Sequence, residues 1–233
     1  MKMNFLWSLY AKVYDVINEN VPYVNMLDQI VDELNLSKQP TENIYMLDAG
    51  CGTGNIEGRI LQSPNKIEVL GIDSSTAMLE RAKVKHRHNP RVKFQRADLN
   101  GSLPFTNNCF QRVVSVNALY PLDHPEQTLK EFFRVLRPDG KLVFANPHDH
   151  TSFFAIMKGQ YVALGSFRFI LKFLQRLPQL LIIIAVNVFG LRKNHNYWDE
   201  NMTRARLTEI GFQNIVIGNT YAGQDLLVSA TKG

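Results

Sequence analysis

The sequence predicts an α/β protein: a parallel sheet covered by helices on both faces. Short apolar runs near 44–48, 67–72, 91–96, 111–116 and 141–146 alternate with segments of helical period, the alternation that builds such sheets. Two of these runs end in an acid, at Asp48 and Asp73, and the first breaks into alternate glycines, Gly50, Gly52 and Gly54. Ligands of open α/β sheets collect at the carboxyl ends of strands, so these two ends are where a site is expected.

Within Tyr45-Met-Leu-Asp-Ala-Gly-Cys-Gly-Thr-Gly54 the apolar run reads as a buried strand, and its glycines permit positive φ and close backbone approach. Asn55-Ile-Glu-Gly-Arg-Ile-Leu61 has helical spacing and is expected to aim free N–H groups at a ligand. The second run, Ile67-Glu-Val-Leu-Gly-Ile-Asp73, ends 19 residues beyond Gly54, a spacing that brings a carboxylate to ribose hydroxyls. A dinucleotide fingerprint requires glycine at position 55; Asn55 stands there and argues against NAD. Ser74-Ser-Thr-Ala-Met-Leu-Glu80 supplies a cap and opens an amphipathic helix, and the segment from Pro125 to Leu136 makes another that stops near Pro138-Asp-Gly140. Residues 203–210 read as a helix ended by Gly211, and 214–218 and 225–230 as strands.

At 233 residues, 45% hydrophobic and 20% charged, the chain suits one compact domain with a substantial core. Its two cysteines, Cys51 and Cys109, make no disulfide framework, so a reduced cytoplasmic setting is expected. Lys12 and Asp15 interrupt the N-terminal apolar stretch, which argues against a secretion signal. A pI near 9.2 raises nucleic acid as a partner. The basic residues of 81–88 and 91–93 lack interleaved aromatics and read as a solvated face, so no nucleic-acid partner is expected.

The succession Asp48-x-Gly50-x-Gly52-x-Gly54, Asp73, Ala97-Asp98-Leu99, Leu103-Pro-Phe105, Val113-Val-Ser-Val-Asn117 and Leu136-Arg-Pro-Asp-Gly140 resembles the class I S-adenosylmethionine-dependent methyltransferases, over residues 44–147. It is most similar to the branch containing the ubiquinone and menaquinone C-methyltransferases and related small-molecule or lipid enzymes. Gln111 departs from that branch, which usually carries an acid there. The resemblance implies a Rossmann-like, seven-stranded, mostly parallel sheet with an antiparallel last strand and a helical cap insertion. In this layout a single domain has an N-terminal helical lid (1–40), a cofactor-binding core (41–147), a substrate cap (148–200) and a C-terminal helix and β-hairpin (201–233).

The implied cofactor is S-adenosylmethionine. The backbone of Gly50, Cys51, Gly52 and Gly54 would pass beneath its methionine and ribose, with Asp48 at the amino group and Asp73 at the ribose hydroxyls. Asp98 would accept from the adenine amino group and the Leu99 N–H would donate to the ring, next to Ala97. Ser74 or Met78 would line the adenosine pocket, and the Asn117 carbonyl would lie near the methionine ammonium. Asn117-Ala-Leu-Tyr120 stands where a nucleobase amino-methylase would carry an N-P-P-Y-like tetrapeptide, which argues against that acceptor.

Methyl transfer from a sulfonium is an in-line displacement, so the main task is to hold a nucleophile against the methyl group in a dry pocket. A base helps when the nucleophile begins as a phenol, enol or ammonium. Tyr120, His124, His148 and His150 follow strands four and five and are the candidates, although each histidine also reads as an ordinary hydrogen-bonded loop residue. His148-Asp-His150 is not expected to hold a metal. Tyr10 and Tyr14 either fold over the cofactor or pack in the core.

Residues 151–198 contain no Asp or Glu and six basic residues, Lys158, Arg168, Lys172, Arg176, Arg192 and Lys193. Between Arg176 and Arg192 lie 15 uncharged residues, too few to span a bilayer and expected to be broken at Pro178 and Asn187. The segment reads either as a buried cap helix enclosing an apolar substrate or as an interfacial helix giving peripheral membrane contact through 168–193. The expected activity is methyl transfer to a largely apolar small molecule, such as a quinol precursor, lipid or secondary metabolite. The alternatives are cyclisation or decarboxylation that uses the cofactor without methylation, and a non-catalytic binding protein.

Overall fold

A computed structural model describes residues 10, 11, 13–36, 43–63, 66–148, 152–185 and 196–233. A seven-stranded sheet of order β3-β2-β1-β4-β5-β7-β6 forms its centre. The strands are β1 (Ile44–Ala49), β2 (Ile67–Asp73), β3 (Val92–Arg96), β4 (Phe110–Val116), β5 (Leu136–Pro147), β6 (Phe212–Thr220) and β7 (Asp225–Lys232). The first five are parallel, and β7 runs antiparallel between β5 and β6. Strand order reverses between β1 and β4, the switch point at which such sheets open a crevice.

The central strands are apolar on both faces because two cores need them. Leu47, Ala49, Leu70 and Ile72 face one side, with Leu129 and Phe132 of α4 (Pro125–Val135). Ile44, Met46, Ile67 and Val69 face the other, with Met26, Leu27 and Ile30 of α1 (Val21–Glu33). The α1 helix is therefore a layer of the core, started by Asn20, whose side chain accepts from the Tyr23 N–H. Gln111 joins β4 to the start of β1, accepting from the Tyr45 N–H at 2.9 Å and donating to the Asn43 carbonyl at 3.2 Å. An amide makes both bonds, whereas an ionised acid would only accept.

Two local expectations change. Residues 55–61 yield only one helical turn, α2 (Glu57–Ile60), and the Gly54 N–H is committed to the Cys51 carbonyl at 2.9 Å. Gly54 is left-handed, the backbone stays in turns through residue 56, and a helix begins only at Glu57. The helix after β2, α3 (Thr76–Lys85), starts as expected, with Ser75 accepting from the Met78 N–H. The segment 136–140 is the beginning of β5 rather than a helix end, since Pro138 pushes its predecessor into extended backbone.

The region after β5 folds into α5 (Phe153–Leu164) and α6 (Ser166–Ala185). Pro178 sits inside α6 and does not break it. It lies beyond an exposed turn where the Leu174 carbonyl it leaves free has access to water. Asn187 and the remainder of the apolar run lie outside the described residues. Gln160 docks the pair on the body, accepting from the Val21 N–H at 2.6 Å and donating to the Glu19 carbonyl at 3.0 Å, and Arg176 pairs with Glu19. The last helix, α7 (Glu200–Ile210), ends at Gly211 with φ 109°. Among the described residues no helix is long and apolar enough to cross a membrane.

Candidate active site

The turn after β1 is held in left-handed backbone at Gly50, Gly52 and Gly54, with φ of 81°, 54° and 75°. A Cβ at Gly50 would collide with the Ala118 side chain beyond β4. The N–H groups of Gly50 and Cys51 both donate to the Ile72 carbonyl, at 2.8 and 2.9 Å, which ties the turn to the end of β2. One residue on, Asp73 receives the Gly52 N–H on Oδ2 at 3.0 Å and the Ser75 N–H on Oδ1 at 2.8 Å. Burial pushes the Asp73 carboxyl up and these amides hold it down. Each oxygen keeps a second acceptor position, the provision a vicinal diol requires.

Asp48 lies beneath this turn, buried beside the buried Glu57 of α2, and the two carboxyls repel one another. Neither Glu57 oxygen has a hydrogen-bond partner, and a proton shared with Asp48 would satisfy the pair. Burial and mutual repulsion push Asp48 well up, and burial pushes Glu57 to about 7. Glu57 carried no signal as a site residue in sequence; its position in a helical turn between the buried Ile56 and Ile60 is the clue that marks it.

The N-terminal segment closes over the turn through ion pairs as well as the apolar packing of Ala11, Val13 and Ile17. Asp15 accepts from Thr53 Oγ1 at 2.6 Å, Lys85 Nζ at 2.8 Å and Arg81 Nη2 at 3.3 Å. Burial raises its pKa, but the Lys85, Thr53 and Arg81 contacts prevail and hold it below the usual carboxylate range. Asn55 accepts from both Asn18 and Lys85, at 2.9 and 2.6 Å. Arg81 and Lys85, expected on a solvated face, are thus turned inward as clamps. Tyr14 and Tyr23 line the cleft with Asp48, Gly50 and Gly52, and leave about 20 Å³ between them, room for about one water.

The other expected residues gather at the same carboxyl edge. The Ala97 N–H donates to the Asp73 carbonyl at 3.2 Å, Met78 is buried, and Ser74 is exposed with its carbonyl accepting from Arg96. Asp98 is exposed and accepts the Asn100 N–H at 2.9 Å, while Leu99 is buried against Gly50. Asn117 adopts φ 52°, and its buried side-chain oxygen has no partner.

The four base candidates fare differently. Burial raises the Tyr120 phenol far above its ordinary value, so it stays protonated at neutral pH and cannot act as a base there. His124 is exposed at the N-cap of α4 and makes no side-chain capping bond. His148 is half-buried, with Nε2 bonded to the Gly223 carbonyl at 3.1 Å. His150 lies outside the described residues. The carboxylate that does sit here is Asp225, the first residue of β7, paired in register with Pro147. It is fully buried, neither oxygen makes a full hydrogen bond, and burial raises it to about 7 while the neighbouring Asn117 side chain pulls it down. In sequence Asp225 opens an apolar run instead of ending one, the mirror image of the signal at Asp48 and Asp73.

Sheet order, glycine turn and strand-end acids together give the Rossmann-like fold of the solved S-adenosylmethionine-dependent methyltransferases. Residues 46–140 match the family model described as a methyltransferase domain. The chain is 34% identical over 143 residues to the putative methyltransferase YqeM of Bacillus subtilis, covering 60% of this chain and 54% of that protein. It is 31% identical over 162 residues to the ubiquinone/menaquinone biosynthesis C-methyltransferase UbiE of Bartonella tribocorum, covering 62% of each. These matches span just over half the length of the curated relatives. The crystal structure of an S-adenosylmethionine dependent methyltransferase from Mesorhizobium loti superposes with a TM-score of 0.63 at 18% identity, over 92% of this chain and 99% of that one, a likeness of fold. The cofactor of this class fits the residues present: a cradle without Cβ atoms, Asp73 with open acceptor positions, and a buried acid pair below.

The Asp48–Glu57 pair makes stability depend on pH. A carboxyl whose pKa rises on folding stabilises fully below its unfolded value near 4.5, and that contribution is lost as pH climbs through about 7. Glu57→Gln, which keeps a donor toward Asp48, should flatten this fall by about 1 kcal/mol or more between pH about 5 and about 8 in urea unfolding. Superimposable pH profiles for parent and variant would show that the pair shares no proton.

Proposed function

We propose that the protein transfers a methyl group from S-adenosylmethionine to a largely apolar small molecule that carries an acidic hydroxyl or enol. The observation that supports this reading is the pairing, across the switch point, of a cofactor cradle at β1 and β2 with a buried, unpartnered carboxyl at the start of β7. When bound, the cofactor supplies an electrophilic methyl group on a positively charged sulfur. Gly50 and Gly52 would let the backbone approach, Asp73 would take the ribose hydroxyls, and Asp48 with Glu57 would present a single negative charge to a single ammonium. Matching one charge with one avoids leaving an uncompensated ion in a buried site.

At the acceptor end, Asp225 is the chain's own proton acceptor. A carboxyl near 7 is half-ionised at neutral pH, where a general base works best. Burial, with the Asp225 charge adding to it, raises the phenols of Tyr120 and Tyr221 and holds them protonated beside this carboxyl. The biosynthetic role in the name of the Bartonella relative agrees with a quinol-like acceptor for this chain. Two free cysteines, Cys51 and Cys109, agree with a reducing compartment.

Incubation with methyl-labelled cofactor and a lipid-soluble extract should yield a labelled apolar product; binding of the cofactor without any transfer would favour the cyclisation or decarboxylation reading. Asp73→Ala should weaken cofactor binding by about tenfold or more in calorimetry, the loss of about 1.4 kcal/mol from charge-assisted hydrogen bonds. Unchanged affinity would remove Asp73 from the ribose site. Asp225→Asn should leave cofactor affinity intact, lower turnover by about 10²-fold and abolish the limb of the pH–rate profile near 7. Retention of that limb would assign it to another group.

A further inference from the structure

The α6 helix is built the wrong way round for a surface helix of a soluble domain. Over 166–182, where its side chains are described, no residue is buried. Phe167 is 80% exposed, Ile170 54%, Leu171 47%, Leu174 61% and Leu181 57%. Their spacing of three, one, three and seven residues places them on one stripe along the helix. The opposite side faces the body: Phe169 and Phe173 are partly covered, and Arg176 reaches back to Glu19. A soluble helix of this length would turn the apolar stripe inward and its charges outward.

Charge completes the pattern. Arg168 and Lys172 lie one turn apart beside the stripe, and no described carboxylate pairs with either of them. Residues 151–198 contain no Asp or Glu. Two copies meeting through this face would bring like charges together with no acid from the segment to offset them. The helix, 20 residues long, extends about 30 Å, yet no described helix is long and apolar enough to cross a bilayer. An exposed apolar stripe with a cationic edge is the arrangement that lies in the plane of an anionic bilayer, the apolar side at the acyl boundary and the cations among the headgroups.

We propose that α6 is a membrane-docking element that seats the protein on a bilayer containing anionic phospholipid. This goes beyond the methyl-transfer reading and does not depend on it. Full-length protein should co-float with vesicles of equal parts phosphatidylglycerol and phosphatidylcholine and bind pure phosphatidylcholine far less. Leu174→Glu with Leu181→Glu should reduce flotation by at least about tenfold. Arg168→Gln with Lys172→Gln should lower affinity for the anionic vesicles about fivefold per cation removed and erase the preference between the two compositions. Leu174, Leu181 and Arg168 are exposed and Lys172 is half-buried, and an unchanged circular dichroism spectrum and cofactor affinity would verify that the variants fold. Failure of the parent to float with either vesicle overturns the proposal. So does a concentration-dependent dimer in light scattering that Leu174→Glu with Leu181→Glu dissolves while vesicles are ignored, because the face would then belong to a second copy.

Discussion

The carbonyl of Ile72 accepts two consecutive N–H groups, from Gly50 and Cys51, and the site depends on that junction. It fixes the turn after β1 against the end of β2, leaving the next N–H, from Gly52, directed at Asp73. So tight an approach needs left-handed backbone on the turn and no side chain beside Ala118, which only glycine supplies without strain. Gly71, opposite on β2, is bound by the same closeness, since a Cβ there would press on Phe94 and the Cys51 sulfur. The β1–β2 edge is thus one rigid unit whose backbone groups are already directed before any ligand arrives.

Two kinds of charge management surround this unit. Below it, Asp48 and Glu57 are kept out of water and share their burden with one another, which keeps them protonatable. Above it, Asp15 is encircled by Lys85, Arg81 and Thr53, which keeps it ionised. The same residue class thus has opposite protonation on the two sides of one turn, decided by which neighbours are cations. The outer cluster also helps attach the tyrosine segment over the cleft, adding contacts that solvent and salt can compete for to the packing of Ala11, Val13 and Ile17.

Much of this was legible in the sequence where local chemistry and the sheet agree. The acids at Asp48 and Asp73 could be read because a parallel strand must end at the ligand edge, and alternate glycines have few uses other than close approach. The strand alternation also translated directly, since both faces of β1 and β2 are buried and their runs are nearly unbroken. The misreadings have physical causes. Helical period at 55–61 is overridden because the turns that follow the left-handed Gly54 run through residue 56. Pro178 looked like a breaker, but an exposed helix tolerates the lost hydrogen bond where water replaces it. Glu57 and Asp225 escaped notice because burial of an acid is a property of the assembled layers, and nothing adjacent in the chain announces it.

The reversal of β7 has a consequence for how such a protein can change. An antiparallel strand brings its first residue, not its last, to the edge where the parallel strands end, so Asp225 arrives at the reacting side from the opposite direction of the chain. The half of the molecule that would grip the donor and the group that would act on the acceptor are therefore encoded at opposite ends of the sequence. Drift in the terminal hairpin can retune reactivity while the donor cradle is inherited untouched, which gives this architecture separable dials for one shared reaction.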